Sequence, residues 1–373
     1  MASLSEKGMN PMKIVWFGGY PAHYMSNFHA LIESRFSDVF FLYVPLGKRG
    51  AEFSHENTKL PQDSLVLRTS WSVIQAWGIL NKLNAKAILI AGNYPRINLI
   101  AAIWARYKKR ELFYLSDSNV LDSKNISRNI FNQFFLKKLL KSTTKLLSIG
   151  SRNKEFYIQV CGINFAFPRL HHFPLPHPAE LFESCQQKSE PILTFLLLGR
   201  LVEVKAVDYA LYAFSGLSPE DQQKSRIIIA GDGPLKASLE NLAQTLGISN
   251  RVEFLGSIPS TKTPDIYAKA DVVLVPSHQE PWGLVINEAL SSGRPVIVPP
   301  WIGSCIDLVK NQETGLVLTD NSPESIREAM QYCLDHPNDI KKMGLSGRAL
   351  VRVGGWSIRG AIDSFENLMR SLN

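Results

Sequence analysis

Short apolar runs alternate with longer amphipathic stretches along almost the whole chain. In the first half, five apolar runs predict buried strands at Lys13–Phe17, Val39–Val44, Ala87–Ala91, Leu112–Leu115 and Leu146–Ile149. The stretches between them follow a helical period, as at Val73–Leu83, Ile97–Tyr107 and Ile126–Leu140. Strands that alternate with helices predict a doubly wound, parallel α/β sheet.

The same alternation starts again in the second half. Strands are predicted at Ile192–Leu198, Arg226–Ala230, Val252–Leu255, Val272–Val275 and Pro295–Val298. Helices are predicted at about Val207–Phe214, Leu235–Leu246, Gly283–Ser291 and Pro323–Leu334, with an amphipathic terminal helix at Trp356–Leu372. Between the halves, four prolines in Phe167–Phe182 exclude a helix or a central strand. We therefore expect two Rossmann-like domains with an interdomain cleft, where ligands meet the carboxyl ends of the strands.

These patterns set the expected domain boundaries. Residues 1–12 lack the apolar core and cleavage site of a secretory signal. We therefore interpret them as a flexible lead-in. The N-terminal domain is expected at 13–178, a linker at 179–190 and the C-terminal domain at 191–355. Residues 356–373 form the terminal helix. No apolar run approaches the ~20 residues of a membrane-spanning helix.

Composition and cysteine usage indicate a globular cytoplasmic protein. The chain is 45% hydrophobic and 20% charged, which excludes disorder. Cys161, Cys185, Cys305 and Cys333 are scattered without a CxxC pair, a pattern typical of reduced thiols and not of a metal site.

Charge is unevenly distributed along the chain. Residues 1–185 hold 23 Lys and Arg against 12 Asp and Glu, whereas residues 186–373 hold 18 against 21. Basic and apolar residues share a helical spacing within Asn125–Lys145, and Arg106–Arg110 is a second basic cluster. This pattern suits a helix on an anionic membrane surface, which predicts a protein peripheral on the cytoplasmic face of the membrane. The alternative is a core-packed helix with a solvated basic face. We do not expect a nucleic-acid partner, because the chain shows no nucleic-acid-binding module.

Candidate chemistry follows the predicted strands of the second half. The strand Ile192–Leu198 runs into Gly199 and Arg200, with Lys205 close behind. Two cations beside the start of a helix suit a diphosphate, although two solvated surface charges are the alternative. The next strand ends in Gly231 and Gly233, a weaker signal on its own.

The segment Pro276–Ala289 contains two carboxylates eight residues apart, Glu280 and Glu288, with Gly283 near the helix start between them. Carboxylates are strong acceptors for sugar hydroxyls, and open amides at a helix start bind anions. One carboxylate can therefore hold a sugar and the other a ribose, with a diphosphate between them. The alternative is an ordinary acidic helix with a surface glutamate.

The second half resembles glycosyltransferase family 4, whose members are retaining enzymes of the GT-B fold that build bacterial glycans and glycolipids. The matching segments occur in order at Gly199–Lys205, Ala230–Pro234, Arg251–Gly256, Tyr267–Ser277, Glu280–Leu290, Ser292–Ile297 and Glu313–Leu318. The pair of glutamates with its flanks is the specific element. The glycine turns only support it.

This resemblance implies roles for the matched residues. Arg200 and Lys205 would neutralise the donor diphosphate, Glu288 would hold the ribose, and Glu280 would face the transferred sugar. The remaining donor contacts would come from Gly199, Gly231, Gly233, Gly256, Pro281, Trp282, Gly283, Leu284 and Val285. The resemblance further implies a UDP- or GDP-linked hexose donor, a glycan or lipid-linked acceptor, no resident cofactor and no metal requirement. It also implies that the terminal helix in residues 356–373 crosses back to the N-terminal domain.

The first half matches the family more loosely. Gly18, Gly19 and His23 resemble the family's first glycine loop, near donor phosphate and acceptor, although a tight turn and a capped helix are the alternatives. Asp117 and Ser116 stand where the family often carries Asp and His, which would place Asp117 among the catalytic residues and Ser116 on the sugar side. Ala206 replaces a frequent glycine, and Pro299–Asp307 replaces a Gly-Gly loop, with Asp307 in place of a glutamate.

Two rival functions share this fold. One is a GT-B enzyme of another class, such as a nucleotide-sugar epimerase or a phosphorylase. The other is a non-catalytic scaffold, for which the change at Ser116 leaves room. Retention of Arg200, Lys205, Glu280 and Glu288 together favours the transferase.

Overall fold

The computed structural model describes residues 12–19, 23–44, 61–67, 72–92, 95–118, 130–183 and 192–372. The lead-in up to residue 11, residues 51–60 and residues 119–129 lie outside the described residues. The chain forms two compact units. One comprises Met1–Pro176 together with Ile358–Asn373, and the other comprises His177–Ser357.

The N-terminal unit contains a parallel sheet in which seven strands have the order β3-β2-β1-β4-β5-β6-β7. The strands are β1 Ile14–Gly19, β2 Val39–Val44, β3 Ser64–Val66, β4 Ala87–Ala91, β5 Glu111–Ser116, β6 Lys145–Ser148 and β7 Leu170–His172. The strand order changes direction between β1 and β4, as in a Rossmann-like sheet. Apolar runs such as that of β4 are buried on both faces, which explains their continuous hydrophobicity.

Helices cover this sheet at α1 His23–Arg35, α2 Ser72–Leu83, α3 Pro95–Tyr107, α4 Ile130–Lys141, α5 Ser151–Cys161 and α6 Ile163–Ala166. The terminal helix, Ile358–Arg370, belongs to the same unit. Its Phe365 ring lies 6.2 Å from that of Trp16 on β1 and 5.5 Å from that of Phe36. Burial of this apolar face anchors the chain terminus on the N-terminal unit.

The C-terminal unit contains a second parallel sheet, with six strands in the order β10-β9-β8-β11-β12-β13. The strands are β8 Leu193–Leu198, β9 Ser225–Ala230, β10 Val252–Gly256, β11 Val272–Leu274, β12 Val296–Val298 and β13 Gly315–Val317. The helices are α7 Glu180–Glu183, α8 Val207–Ser215, α9 Pro219–Gln223, α10 Lys236–Thr245, α11 Thr263–Ala268, α12 Leu284–Ser291, α13 Cys305–Leu308, α14 Pro323–Asp335 and α15 Pro337–Val353. The terminal helix is therefore α16.

Three predictions need correction. The segment Phe167–Phe182, expected as a loop, contains strand β7 and the start of helix α7. Since β7 lies at the sheet edge, the neighbouring prolines break no interior ladder. Residues 179–183, expected in the linker, belong to the C-terminal unit, and residues 184–190 lie outside the described residues. Gly18 and Gly19 end strand β1 instead of following it.

Two further properties bear on function. None of the described helices combines the length and hydropathy needed to cross a membrane. Of the cysteines in the described ranges, Cys161, Cys305 and Cys333 are buried and form no disulfide. Burial raises the pKa of the Cys161 thiol to about 11, which keeps it protonated and unreactive.

Candidate functional site

A pocket opens at the carboxyl ends of β8 and β11, within the C-terminal unit. Its lining includes Arg200, Lys205, Glu280, Gly283 and Val285. Backbone and apolar side chains of Leu197–Leu201 and Leu274–Ser277 form the rest of its wall. Two cations and one carboxylate therefore converge at the edge of the sheet where parallel α/β folds bind their ligands.

Close packing of two glycine turns shapes the edge of this pocket. The Gly199 amide donates to the Ala230 carbonyl at 3.0 Å. A Cβ atom on Gly231 would lie 1.8 Å from the Gly199 carbonyl oxygen, which excludes any side chain at that position. Gly231 thus holds the loop that carries Arg200, and its own position is outside the pocket lining.

Lys205 reaches the pocket from a strained turn. It ends a single 3₁₀ turn, Glu203–Lys205, and Ala206 follows with φ 48° and ψ 44°, immediately before α8. A left-handed conformation costs a non-glycine residue about 1–2 kcal/mol. Ala206 stands where the family that the sequence resembles often has glycine. The turn therefore keeps its conformation with alanine, but with backbone strain.

Lys205, one of the two pocket cations, forms an ion pair with the pocket carboxylate Glu280. Lys205 Nζ donates to Glu280 Oε1, and Ser277 Oγ donates to the same oxygen at 3.2 Å. The two charged side chains are 23% and 16% exposed, so water screens the pair only partly. An anion that binds Lys205 must compete with Glu280.

The loop Glu280–Gly283, here called the donor loop, is fixed by the segment that departs from the family pattern. The Gly303 amide donates to the Glu280 carbonyl at 3.1 Å, and the Ser304 amide donates to the Trp282 carbonyl at 2.9 Å. A Cβ atom on Gly303 would lie 1.8 Å from the Pro281 carbonyl oxygen. The Pro299–Asp307 loop thus braces the donor loop through backbone contact, and Asp307 itself lies on helix α13.

Glu288 lies on helix α12, where Tyr267 Oη donates to its Oε2 at 2.8 Å. Burial raises the pKa of the Glu288 carboxyl to about 7, and the hydrogen bond from Tyr267 opposes that rise. The carboxyl group is therefore poised between its protonated and ionised forms near neutral pH.

Comparison with known proteins gives a family match for the region that contains this pocket. Residues 182–349 match the glycosyl transferases group 1 family. The group 1 region contains the pocket, both carboxylates and the whole donor loop.

Curated relatives match part of the chain. An uncharacterised glycosyltransferase of Methanocaldococcus jannaschii is 33% identical over 131 residues, which cover 35% of this chain and 33% of that protein. A D-inositol 3-phosphate glycosyltransferase of Nocardia farcinica is 34% identical over 187 residues, which cover 47% of this chain and 40% of that protein. The match thus spans well under half the length of either relative.

Solved structures resemble the chain over nearly its whole length. HepE from Anabaena, solved in complex with UDP, superposes with a TM-score of 0.77 at 17% identity, covering 96% of this chain and 100% of HepE. HepE has also been solved in complex with UDP-glucose. This likeness and the two parallel sheets confirm the predicted GT-B fold of two Rossmann-like domains.

Several predicted site residues do not line the pocket of the C-terminal unit. The pocket lining leaves out Pro281, Trp282, Leu284, Glu288, Gly231, Gly233 and Gly256. Gly233 packs as Gly231 does, since its Cβ would lie 2.5 Å from the Leu201 carbonyl oxygen. Trp282 is 5% exposed and faces the protein interior.

The remaining predicted residues belong to the N-terminal unit. Ser116 ends β5 and is buried, and its amide donates to Tyr157 Oη at 3.3 Å. Asp117 follows it and is exposed. His23 begins α1, but the surroundings of its side chain are outside what the structure describes, and so are those of Gly19.

Three contributors to the site were not predicted: Ser277, Tyr267 and Gly303. Ser277 lies three positions after the end of β11, where the sequence already predicts the end of a strand. Tyr267 and Gly303 act through contacts between segments far apart in the chain, for which a single sequence carries no signal.

Proposed function

We propose that the protein is a retaining glycosyltransferase that moves a hexose from a nucleoside diphosphate sugar to a glycan or lipid-linked acceptor. The observation that carries this proposal is the convergence of Arg200, Lys205 and Glu280 on one pocket inside the group 1 region. A UDP-linked donor is favoured because HepE, of similar fold, has been solved with UDP and with UDP-glucose.

The charges of the pocket suit the leaving group. Arg200 and Lys205 offer two cations to the diphosphate, and the open amides at the start of α12 add a partial positive charge. We propose that this set serves without a divalent metal or a resident cofactor. Glu280 then accepts hydrogen bonds from hydroxyls of the transferred sugar, and Glu288 accepts them from the ribose.

The proposed reaction needs no side-chain nucleophile. The acceptor hydroxyl attacks the anomeric carbon on the face from which the diphosphate leaves. As the new C–O bond forms, the bond from the anomeric carbon to the phosphate oxygen breaks, and that oxygen takes the hydroxyl proton. On this account Gly18 and Gly19 of the N-terminal unit contribute to donor binding, Asp117 to catalysis, and His23 and Ser116 to the acceptor or sugar side.

A groove on the N-terminal unit supports a lipid-linked acceptor and an anionic membrane surface as partners. It runs between the neighbouring helices α3 and α4 and has a volume of about 360 Å³. Leu99, Ile103 and Phe134 give it apolar lining, and the two latter side chains are 52% and 63% exposed. Its basic lining residues are Arg106, Lys137, Lys138 and Lys141.

The order of these residues along the helices separates apolar from basic ends. Both helices connect successive parallel strands, so they run in the same direction, and the basic residues that line the groove lie towards their carboxyl ends. This arrangement suits a lipid whose phosphate meets the cations while its acyl chain meets Ile103 and Phe134. We therefore propose that the protein works on the cytoplasmic face of a membrane.

The test of the proposed function is a transfer assay with UDP-glucose, other UDP-sugars and a panel of glycan and lipid-linked acceptors. We expect release of UDP that depends on an acceptor, and a product that keeps the donor's anomeric configuration by NMR. Arg200→Ala and Lys205→Ala should each lower kcat by about 100-fold, whereas Lys224→Ala, at an exposed ion pair, should not. Donor isomerisation without an acceptor would indicate an epimerase, and full activity of both pocket variants would refute the site.

A further inference from the structure

Two tryptophan rings stack against each other outside the pocket lining. The ring centroids of Trp282 and Trp356 lie 5.5 Å apart with an interplanar angle of 25°. Trp282 belongs to the donor loop, whereas Trp356 lies 74 positions further along the chain, between α15 and α16. Neither indole lines the pocket.

A buried amide joins the same two tryptophans. Trp282 Nε1 donates to Asn287 Oδ1 at 2.8 Å, and Asn287 Nδ2 donates to the Trp356 carbonyl at 3.2 Å. Asn287 is 1% exposed and lies on helix α12, one residue before Glu288. Each polar group of the Asn287 side chain thus has a partner, which fixes its orientation.

The donor loop is therefore held from two sides. The backbone of Gly303 and Ser304 holds its carbonyl groups, and the cluster of Trp282, Asn287 and Trp356 holds its one large side chain. The loop carries Glu280, and it ends at Gly283, which has φ +91° and precedes the first turn of α12. A shift of Trp282 would move both the carboxylate and the open amides of the pocket.

The position of Trp356 gives this contact a second consequence. The C-terminal unit ends at Ser357, and the chain then enters α16 of the N-terminal unit. Trp356 is tied into its own unit by its amide, which donates to the Val351 carbonyl at 3.2 Å at the end of α15. The indole that backs the donor loop is thus the last but one residue before the chain leaves the unit.

We propose that Trp356 is a positioning residue for the donor loop, acting through Trp282 and Asn287. The proposal rests on the proposed function, because it assigns the loop to the nucleotide-sugar donor. It extends that function to a residue that touches neither donor nor acceptor. Aromatic stacking and a satisfied buried amide are the physical means by which Trp356 keeps the loop in the geometry that the pocket needs.

The first test compares Trp356→Leu, which removes the ring, with Trp356→Phe, which keeps a ring for stacking. The matched control is Tyr332→Leu, which removes another stacked aromatic ring of the same unit, the partner of His336 at 4.3 Å. We expect Trp356→Leu to raise the Kd for UDP-glucose about tenfold and to lower kcat as well, since a loop displaced by about 1 Å misplaces reacting groups. Trp356→Phe should recover most of both losses, and Tyr332→Leu should change neither.

The second test does not depend on any ligand. Amide hydrogen exchange across residues 280–288 of the full-length protein should become faster in Trp356→Leu and stay unchanged in Tyr332→Leu. Equal exchange in wild type and Trp356→Leu would overturn the positioning role, as would equal effects of the two Leu variants. Wild-type protein that binds no nucleotide would instead refute the proposed function, whatever the exchange result.

Discussion

At the scale of single residues, the pairing of Lys205 with Glu280 is the feature with the clearest functional consequence. Each side chain is assigned to a different part of the donor, yet here they neutralise each other. Binding of a diphosphate must therefore draw Lys205 away from Glu280. Part of the binding free energy is then spent on weakening this ion pair.

Glu280→Gln separates binding from transfer. The neutral amide attracts Lys205 less, so we expect UDP to bind about fivefold more tightly, which corresponds to the ~1 kcal/mol of a partly exposed ion pair. Sugar transfer should become slower, because the carboxylate that accepts sugar hydroxyls is lost. Calorimetry and the transfer assay measure these opposite changes. Glu220→Gln, which removes an exposed pair with Lys224, should alter neither, and weaker UDP binding by Glu280→Gln would contradict this account.

Glu288 predicts a pH dependence of nucleotide binding. Burial raises the pKa of its carboxyl to about 7 in the nucleotide-free protein. Ribose hydroxyls donate to the ionised carboxylate, so binding lowers that pKa and releases a proton. Affinity for UDP-glucose should therefore rise with pH up to about 7 and level off above it.

The matched variant for this prediction is Glu288→Gln, which keeps the shape but cannot titrate. It should bind UDP-glucose, whose phosphates do not titrate near neutral pH, more weakly than the wild type does and with an affinity that is flat between pH 6 and 8. Calorimetry with UDP-glucose at pH 6.5, in buffers of different ionisation enthalpy, should show proton release by the wild type alone. Proton uptake on binding would contradict the role assigned to Glu288.

At the scale of elements, the contact between the Pro299–Asp307 loop and the donor loop predicts a sensitive glycine. In Gly303→Ala, the new methyl group would lie 1.8 Å from the Pro281 carbonyl oxygen, so one of the loops must move. We expect a loss of about 1–3 kcal/mol in the free energy of unfolding and weaker UDP binding.

The control for this variant is Gly78→Ala in helix α2, where an added Cβ meets nothing within 4 Å. An alanine within a helix is more stable than glycine by about 0.5–1 kcal/mol, so this change should stabilise the protein. Denaturant unfolding measures both variants. Gly303→Ala with unchanged stability and binding would show that the loops adjust without cost.

The elements also show what the sequence can and cannot predict. Strands such as β2 and β4 were predicted to the residue, because long apolar runs between turns are a strong local signal. Strands β3, β7 and β13 have only three residues each and were not predicted. Strands β11 and β12 are equally short, but they lie in the apolar runs Val272–Val275 and Pro295–Val298, which were predicted. In the site, Arg200, Lys205 and Glu280 follow predicted strands and could be proposed from the sequence. The contacts of Trp356 and Gly303 join distant segments, and only the fold brings them together.

At the scale of the whole molecule, residues 1–185 carry an excess of basic residues, and four of these basic residues line the groove between α3 and α4. We expect the full-length protein to bind vesicles that contain phosphatidylglycerol, to bind phosphatidylcholine vesicles weakly, and to dissociate as salt screens the charges. Flotation of vesicles measures this binding.

Two variants distinguish apolar insertion from simple charge attraction. Phe134→Ser leaves every groove cation in place and should still weaken binding, because the exposed ring no longer enters the apolar phase. Val353→Ser changes a side chain that is 86% exposed on the C-terminal unit, and it should have no effect. Failure of the wild type to bind anionic vesicles at low salt would refute the membrane proposal and leave the donor site untouched.

The central claim is that the pocket of the C-terminal unit binds a nucleoside diphosphate through Arg200 and Lys205. Titration of UDP, GDP and ADP into the purified protein by calorimetry, with magnesium and with EDTA, tests it most directly. We predict selective binding of UDP that is the same in both conditions and is lost in Arg200→Ala. Binding of none of the three nucleotides, or equal binding by wild type and Arg200→Ala, would contradict the claim.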